Sequence, residues 1–418
     1  MRNFLLILSS FAFNISADLK VSLDQELKTL MPKVIEWRHD IHEHPELGNR
    51  EFRTSNKVKT HLESLGIKVE SGIAYTGVVG LIEGGKPGPT IALRADMDAL
   101  PVEEKTGLPF ASKVRTKYLG NDVGVMHACG HDAHVAILMG VAEFLAKNKS
   151  ELKGNVMLIF QPAEEGLGGA LAMIEDGLFE QFPCDRLYAM HNGPGLPVGK
   201  FAAVPGVRTA AGAFFDITIQ GKGGHGAFPH LAIDPIPIAG ELIGSLQTLV
   251  SRSTSPNESA VFSITKVHSG DAYNVIPDSA VLSGTVRTFS MDKMNDIEAQ
   301  VESLAKGIAQ AHGGSAEISF RVLFHPVVNE EAATAFAGDV CSNIVGEGNV
   351  FRSGDPGTGS EDFSFMAEKV PGCYLIVGNG ETSSPLHNPN YDFNDDALVY
   401  GGSFFARVIE KELPAEVA

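Results

Sequence analysis

No stretch of the chain approaches the roughly 18 consecutive apolar residues that a membrane-spanning helix needs, so no span is expected. Positive charge is scarce as well: 33 Lys and Arg stand against 51 Asp and Glu, a net charge of -18. A surface this acidic repels phosphate backbones and anionic lipid heads, and nucleic acid is not expected as a partner. It would equally repel a small anionic substrate, so an enzyme acting on one needs local positive charge from metal ions or a buried arginine. Cysteine is sparse, four residues at 129, 184, 341 and 373 without a close Cys-x-x-Cys pair. An even count in an exported chain allows two disulfides. Cys129, however, has a histidine two positions away on each side, which is metal-ligand company and favours a thiolate.

At 418 residues and 44% hydrophobic, the chain exceeds one ordinary core and suits two or three folded units. Residues 1–17 carry one early positive charge, an apolar run from Phe4 to Phe13 and a small residue at a plausible cut after Ala17. That pattern fits a secretory signal and export to the periplasm or the exterior. The alternative is a docked N-terminal helix in a cytoplasmic protein, since Ile15 is not the small residue an ideal cleavage site prefers.

Beyond the leader, residues 24–65 have the apolar spacing of two helices, and short β-rich runs cover Thr76–Glu83 and Thr90–Arg94. Ala133–Lys147 reads as an apolar helix and Asn155–Phe160 as a fully apolar strand, an alternation that predicts an α/β layered domain. From about residue 207 the predicted order becomes strand Ala213–Gln220, helix Ile233–Leu249, strands Ala260–Val267 and Ser279–Phe289, helix Met291–Ala311 and strand Ala316–Leu323. That order matches the split βαβ unit of ferredoxin-like folds. The expected organisation is therefore a catalytic α/β domain in two parts, 18–206 and 325–418, with an α+β domain inserted at 207–324.

The densest chemical signal is His127-Ala128-Cys129-Gly130-His131-Asp132-Ala133-His134, three of the 14 histidines and a cysteine within eight positions. Imidazole and thiolate are preferred ligands of zinc-like ions, and Gly130 lets the backbone turn so that Cys129 and His131 face one centre. Glu164-Glu165 follows the apolar strand directly; adjacent carboxylates point in different directions, so one can bind metal while its neighbour acts as a base. Glu-Glu pairs are more often solvated surface. His191 and His387, taken singly, read as readily as satisfied structural histidines as ligands. Asp96 and Asp98 share one face of an extended chain, where an aspartate can fix a ligating histidine or simply form a turn.

The ordered set RADMDALP, HACGHDAH, FQPAEE, HNGPG, GKGGHGAFPH, NVIPD, GSEDFSF and LHNP closely resembles the metallopeptidase and aminoacylase superfamily over about residues 32–408. The resemblance is to the branch of hippurate hydrolases, N-acyl-amino-acid amidohydrolases and auxin-conjugate hydrolases. It implies a zinc-peptidase-like α/β catalytic domain and hydrolysis of the amide bond of N-acyl-amino acids. It further implies two divalent ions on Cys129, His131, Glu165, His191 and His387, with Glu164 as the base that activates water. Zinc, manganese, cobalt and nickel all remain open, because Cys129 stands where other branches use a bridging carboxylate. Asp98 matches the aspartate behind the ligands. The inserted segment resembles a lid through which family members dimerise, with His225 at the oxyanion, often across subunits, and Asn274 and Arg287 on the substrate carboxylate. Gly359 falls where substrate passes.

The same site would serve a carboxypeptidase or dipeptidase, which differs only in the acyl group. A silent protein that binds metal or amino-acid conjugates is the non-enzymatic alternative; an intact Glu164 speaks against it. A redox role for Cys129 predicts a metal-free, reactive thiol.

Overall fold

The computed structural model describes residues 15–414, with side chains from residue 25 onward. The expected leader therefore lies outside the described residues except for its last three positions, which open the first helix. In chain order the catalytic part begins with α1 (Ile15–Glu43) and α2 (Phe52–Ser64), then β1 (Lys68–Ile73), β2 (Gly77–Glu83) and β3 (Lys86–Asp96). There follow α3 (His131–Asn148), β4 (Lys153–Gln161), β5 (Arg186–Pro194) and the short β6 (Phe201–Ala202).

A second, separate sheet is built from β7 (Ala211–Gln220), β8 (Ala260–His268), β9 (Ser279–Thr288) and β10 (Ser315–Phe324), with α4 (Pro235–Leu246) and α5 (Met291–Ala311) between them. The chain then returns through α6 (Glu331–Val345), β11 (Val350–Phe351), β12 (Gly372–Gly380) and α7 (Leu398–Glu412).

The first sheet is eight-stranded and mixed, in the order β1-β2-β4-β3-β5-β12-β6-β11. Its centre, β4-β3-β5-β12, is parallel. Strands of this kind are covered on both faces, so they read as continuous apolar runs. β4 is the clearest case: Val156 through Phe160 are all at 0% exposure. Val156, Leu158 and Phe160 pack against α1, α3 and α7, whereas Met157 and Ile159 pack on the opposite side against Met173 and Phe363. Each fully buried side chain stabilises by about 1.5–3 kcal/mol, and Leu158→Ala would cost about 2–5 kcal/mol.

The second sheet runs β8-β9-β7-β10, antiparallel throughout, and buries Phe215, Ile217, Leu242 and Ile297 in a core of its own with α4 and α5. Its β-α-β-β-α-β order is the one the periodicity predicts. A β-hairpin at Arg115–Tyr118 and Asn121–Gly124 was not anticipated; it is exposed on both strands and carries no apolar alternation to reveal it.

α1 is tied to the start of α3 by ion pairs. Arg38 meets Asp132, Asp392 and Asp395. His42 is fully buried, with Nδ1 2.9 Å from Asp132 and Nε2 3.3 Å from Glu104. Burial alone would lower the His42 pKa, but these two carboxylates raise it from 6.5 to about 9. A histidine whose folded pKa is raised contributes stability that is complete below its unfolded pKa and is lost as pH climbs through the folded value. Urea melts should therefore show stability falling between pH 6.5 and about 9 by up to roughly 3 kcal/mol, and His42→Gln should flatten that slope. An unchanged slope in the variant would assign the pH dependence to other groups.

Candidate metal centre

The carboxyl ends of the parallel strands converge on one place, as open α/β sheets arrange it. β3 ends at Asp96, β4 delivers Pro162–Glu165, and β5 carries His191 opposite Ile376 of β12. Gly130 caps α3 at φ 96°, and a Cβ there would lie 2.3 Å from Asn192 Oδ1 and 2.8 Å from the Tyr391 hydroxyl. Both its conformation and its space demand glycine, so Cys129 and His131 are set on either side of an obligatory turn.

Two histidines are fixed in the tautomer a cation needs. His131 Nδ1 donates to the Asp98 carbonyl at 2.9 Å, and His191 Nδ1 donates to the Asn192 carbonyl at 2.9 Å. A carbonyl only accepts, so each ring presents the Nε2 lone pair to the centre. His131 Nε2 is buried without a hydrogen-bond partner, and His191 Nε2 lies 3.4 Å from Cys129 Sγ. Ligand atoms of Cys129, His131 and His191 fall within 4.8 Å of one another, and so do those of Cys129, Glu165 and His387. Cys129 belongs to both groups. His387 has a left-handed φ of 64°, its N–H donates to the Ala128 carbonyl at 2.7 Å, and its Nε2 lies 3.2 Å from Glu165 Oε1.

Two other acidic clusters do not fit a cation. Asp96, Glu361 and Asp362 already surround Arg94, a fully buried guanidinium that bonds Gln161 as well. Its Nη1 reaches Asp96 at 2.6 Å and its Nη2 reaches Glu361 at 2.9 Å. His134, the third histidine of the motif, is bonded at both ring nitrogens, by Asp96 at 2.6 Å and Asn192 at 2.9 Å, so it has no lone pair to offer. His127 is buried with neither nitrogen partnered, and burial pushes its pKa down to about 4.

The electrostatics ask for positive charge. Burial, Glu361 and Glu165 hold the Glu164 carboxyl well above its usual range, and burial, Glu165 and Glu164 do the same to the Cys129 thiol. Burial opposes a charge on His131, but Asp96, Asp98 and Glu165 lift it to about 10. The neighbouring His191, facing burial and other histidines, is pushed down to about 3. A thiol, carboxylates and free imidazole lone pairs crowded out of water are stabilised together by cations, and these donors fit divalent ions of the zinc type.

Asp98 lies just behind this cluster. Its Oδ1 accepts the N–H of Glu164 and its Oδ2 the N–H of Glu165, both at 3.0 Å, so one carboxylate fixes the turn that aims the two glutamates apart. Glu51, which the sequence reading passed over, accepts the N–H of Ala163 at 2.8 Å, and Ala163 takes a left-handed φ of 55°. Arg94 was visible in RADMDALP without a role; its place two residues before Asp96 on one strand face is the signal that pairs them.

A cavity of about 530 Å³ opens over Cys129, Glu164, Glu165, His191 and His387, and Gly359 is part of its lining. His225 and Asn274 do not line it: both are exposed, side by side where Gly226 N–H bonds the Asn274 carbonyl. Arg287 is also absent from the lining, although it approaches Ser360 across Gly212, where a Cβ would lie 2.8 Å from Ser360 Oγ and 3.4 Å from Arg287 Nη1. All four cysteines are free, so neither of the two conceivable disulfides forms.

A strand-end cluster of this composition, on a sheet buried on both faces, is the arrangement of a metal-dependent α/β hydrolase. The chain belongs to peptidase family M20/M25/M40, whose model matches residues 92–411. Hippurate hydrolase of Campylobacter jejuni is 40% identical over 393 residues, 94% of this chain and 100% of that protein. N-acetylcysteine deacetylase of Bacillus subtilis is 39% identical over 382 residues, 91% of this chain and 97% of that one. A dinuclear metal-binding peptidase of the M20 family from Bacillus subtilis has the same fold, with a TM-score of 0.79 at 36% identity over 93% of this chain and 100% of that one.

Asp98→Asn keeps one acceptor and loses the other. Calorimetric titration with Mn²⁺ or Zn²⁺ should show affinity reduced about 10–100-fold with the far-UV spectrum unchanged. Parental affinity in a folded variant would remove Asp98 from the support of the site.

Proposed function

We propose that the chain is a dinuclear metal-dependent amidohydrolase that cleaves the amide bond of N-acyl-L-amino acids, releasing a carboxylic acid and a free amino acid. The observation that carries this reading is the convergence of Cys129, His131, His191, Glu165 and His387 around a buried Glu164 at the floor of one cavity. These five residues would hold two divalent ions, Cys129 between them; bound there, the ions supply the positive charge that polarises the scissile carbonyl and acidifies water.

Glu164 does the proton work. It is 7% exposed, its Oε1 accepts the Asp362 N–H at 3.3 Å, and its own N–H is held by Asp98. Burial and the neighbouring carboxylates raise its affinity for a proton, which suits a carboxylate that takes a proton from the attacking water and, then protonated, returns it to the departing amine.

Residues 207–324 serve, in this reading, as lid and dimerisation domain, between catalytic parts 18–206 and 325–418. Supporting this, β8 is an edge strand with one neighbour, and Phe228, Leu231, Tyr273 and Val275 are exposed around His225 and Asn274. An unpaired edge beside exposed apolar side chains is a surface for another chain. His225 and Asn274 would then complete the cavity of a partner subunit, His225 at the oxyanion, while Arg287 takes the substrate carboxylate from within the same chain.

A panel of N-acetyl, N-benzoyl and indole-acetyl amino acids and dipeptides tests the activity. Amine release should require Mn²⁺ or Zn²⁺ and cease on chelation, and Glu164→Gln should lower kcat by about 10²–10⁴-fold while metal content is retained. Fully metallated protein without turnover on any member would favour a binding protein; turnover confined to dipeptides would favour a peptidase.

Mixing Glu164→Ala with His225→Ala subunits tests the trans arrangement. A mixed dimer contains one site with both residues intact only if His225 crosses between subunits, so recovered activity is expected. Two inactive parents that stay inactive after verified exchange would place His225 in its own subunit, and a fully active His225→Ala parent would place it outside the reaction.

A further inference from the structure

We infer that Arg208 is a carboxylate-recognising residue of the cavity, and that the preferred substrates carry a second carboxylate beside the α-carboxylate of the amino acid. This rests on the amidohydrolase reading and names the substrate class within it.

Among the described residues, Arg208 is the one lysine or arginine that lines the cavity, whose wall otherwise includes the carboxylates Glu164, Glu165 and Glu361. Its guanidinium is half-buried and held only by neutral groups. Nη1 donates to the carbonyls of Val207 and Gly354, both at 3.1 Å, and Nη2 donates to that of Asp355 at 3.2 Å. Among the described residues no carboxylate comes within ion-pairing distance of it, and its Nε–H has no acceptor. The backbone is equally fixed: Arg208 N–H bonds the Val327 carbonyl at 2.8 Å, and the Arg208 carbonyl accepts from Gly357 at 2.9 Å.

The contrast with the fully buried arginines is what gives this weight. Arg38 and Arg94 are each met by three carboxylates. A chain with 51 acidic residues against 33 basic ones has anions to spare, yet among the described residues the guanidinium in its cavity makes no ion pair; burial outweighs the pull of the nearby Asp355 and lowers the Arg208 pKa. A partly desolvated cation held in place without an ion pair is poised for an anionic ligand, and arginine matches a carboxylate bidentately.

Arg287 is a second guanidinium of this kind, bonded only to Thr285 Oγ1 and the Val286 carbonyl and set beside Ser360. Two unpaired guanidiniums near the 357–360 segment fit a substrate with two carboxylates. The second can lie on the amino-acid side chain, as in N-acyl-aspartate or N-acyl-glutamate, or on the acyl group, as in an N-succinyl amino acid.

The test compares kcat/KM of the metal-loaded full chain and its Arg208→Gln and Arg208→Lys variants on N-acetyl-L-glutamate, N-succinyl-L-alanine and N-acetyl-L-alanine. Arg208→Gln should lower the ratio of dicarboxylic to monocarboxylic kcat/KM at least 10-fold, through KM, and Arg208→Lys should recover part of it. Whichever dicarboxylic substrate loses its advantage identifies the position of the second carboxylate. An equal loss on all three substrates, or an unchanged ratio, overturns the inference. Calorimetric binding of the same three compounds to Glu164→Gln protein, with and without Arg208→Gln, separates the two readings. Arg208-dependent binding of a dicarboxylate without turnover by the parent would sink the hydrolase and keep the site. Binding indifferent to Arg208 would sink the site whatever the turnover.

Discussion

Arg94 is the residue on which the geometry of the centre depends. Its single cation, with no exposure to water, joins the end of β3 through Asp96, the end of β4 through Gln161, and the remote 361–362 segment through Glu361 and Asp362. A buried cation cannot lose one of these partners cheaply, because removing one side of a buried pair leaves a charge without compensation. The pieces of chain that carry Asp96, Glu164 and the 357–360 wall are therefore held in one mutual arrangement. Gln161 and Ala170 add neutral donors to Asp362, at 2.7 and 2.9 Å, and complete the satisfaction of that carboxylate.

The arrangement leaves an imbalance that the protein does not resolve by itself. One guanidinium faces Asp96, Glu361 and Asp362, with Glu164, Glu165 and the Cys129 thiol close by. Apart from cations, only protons can relieve the crowding, and the raised pKa values of Glu164, Cys129 and His131 all express that demand. The rings of His131 and His191 are meanwhile locked by backbone carbonyls with their Nε2 atoms turned inward. Preorganised lone pairs and unmet negative charge together make a site whose native form is the metal-bound one.

Much of this was legible beforehand. HACGHDAH and PAEE contain three of the five candidate donors, Cys129, His131 and Glu165, and the apolar runs around Val156–Phe160 and Ala133–Lys147 locate the sheet and helix that present them. The second sheet followed from periodicity, as half-buried and buried positions alternate cleanly along β9. What could not be read is the set of contacts between distant segments. Nothing near Arg94 announces Glu361, 267 residues away, and nothing near Glu51 announces Ala163. Residue type alone does not separate His134 from His131; Asp96 and Asn192, brought in by other strands, take up both nitrogens of His134. His225 and Asn274 could be named from a resemblance, but their exposed position comes from the small ladder that pairs Gly224 with Ile276 and His225 with Val275, which neither motif reveals alone.

The scarcity of positive charge that opens the sequence reading gains a structural meaning here. Four arginines show how this acidic chain places its positive charge: Arg38 ties α1 to α3, Arg94 ties the strand ends together, and Arg208 and Arg287 stand without an ion pair near one stretch of the cavity. An anionic substrate is repelled by most of the surface, so the charges that receive it are local ones. The metal ligands gather at the strand ends, whereas Arg208 and Arg287 stand by the 357–360 segment, and a carboxylate drawn to either guanidinium is held apart from the centre. Orientation then follows from where the two kinds of positive charge lie: the guanidiniums take the charged groups, and the scissile amide is left facing Glu164.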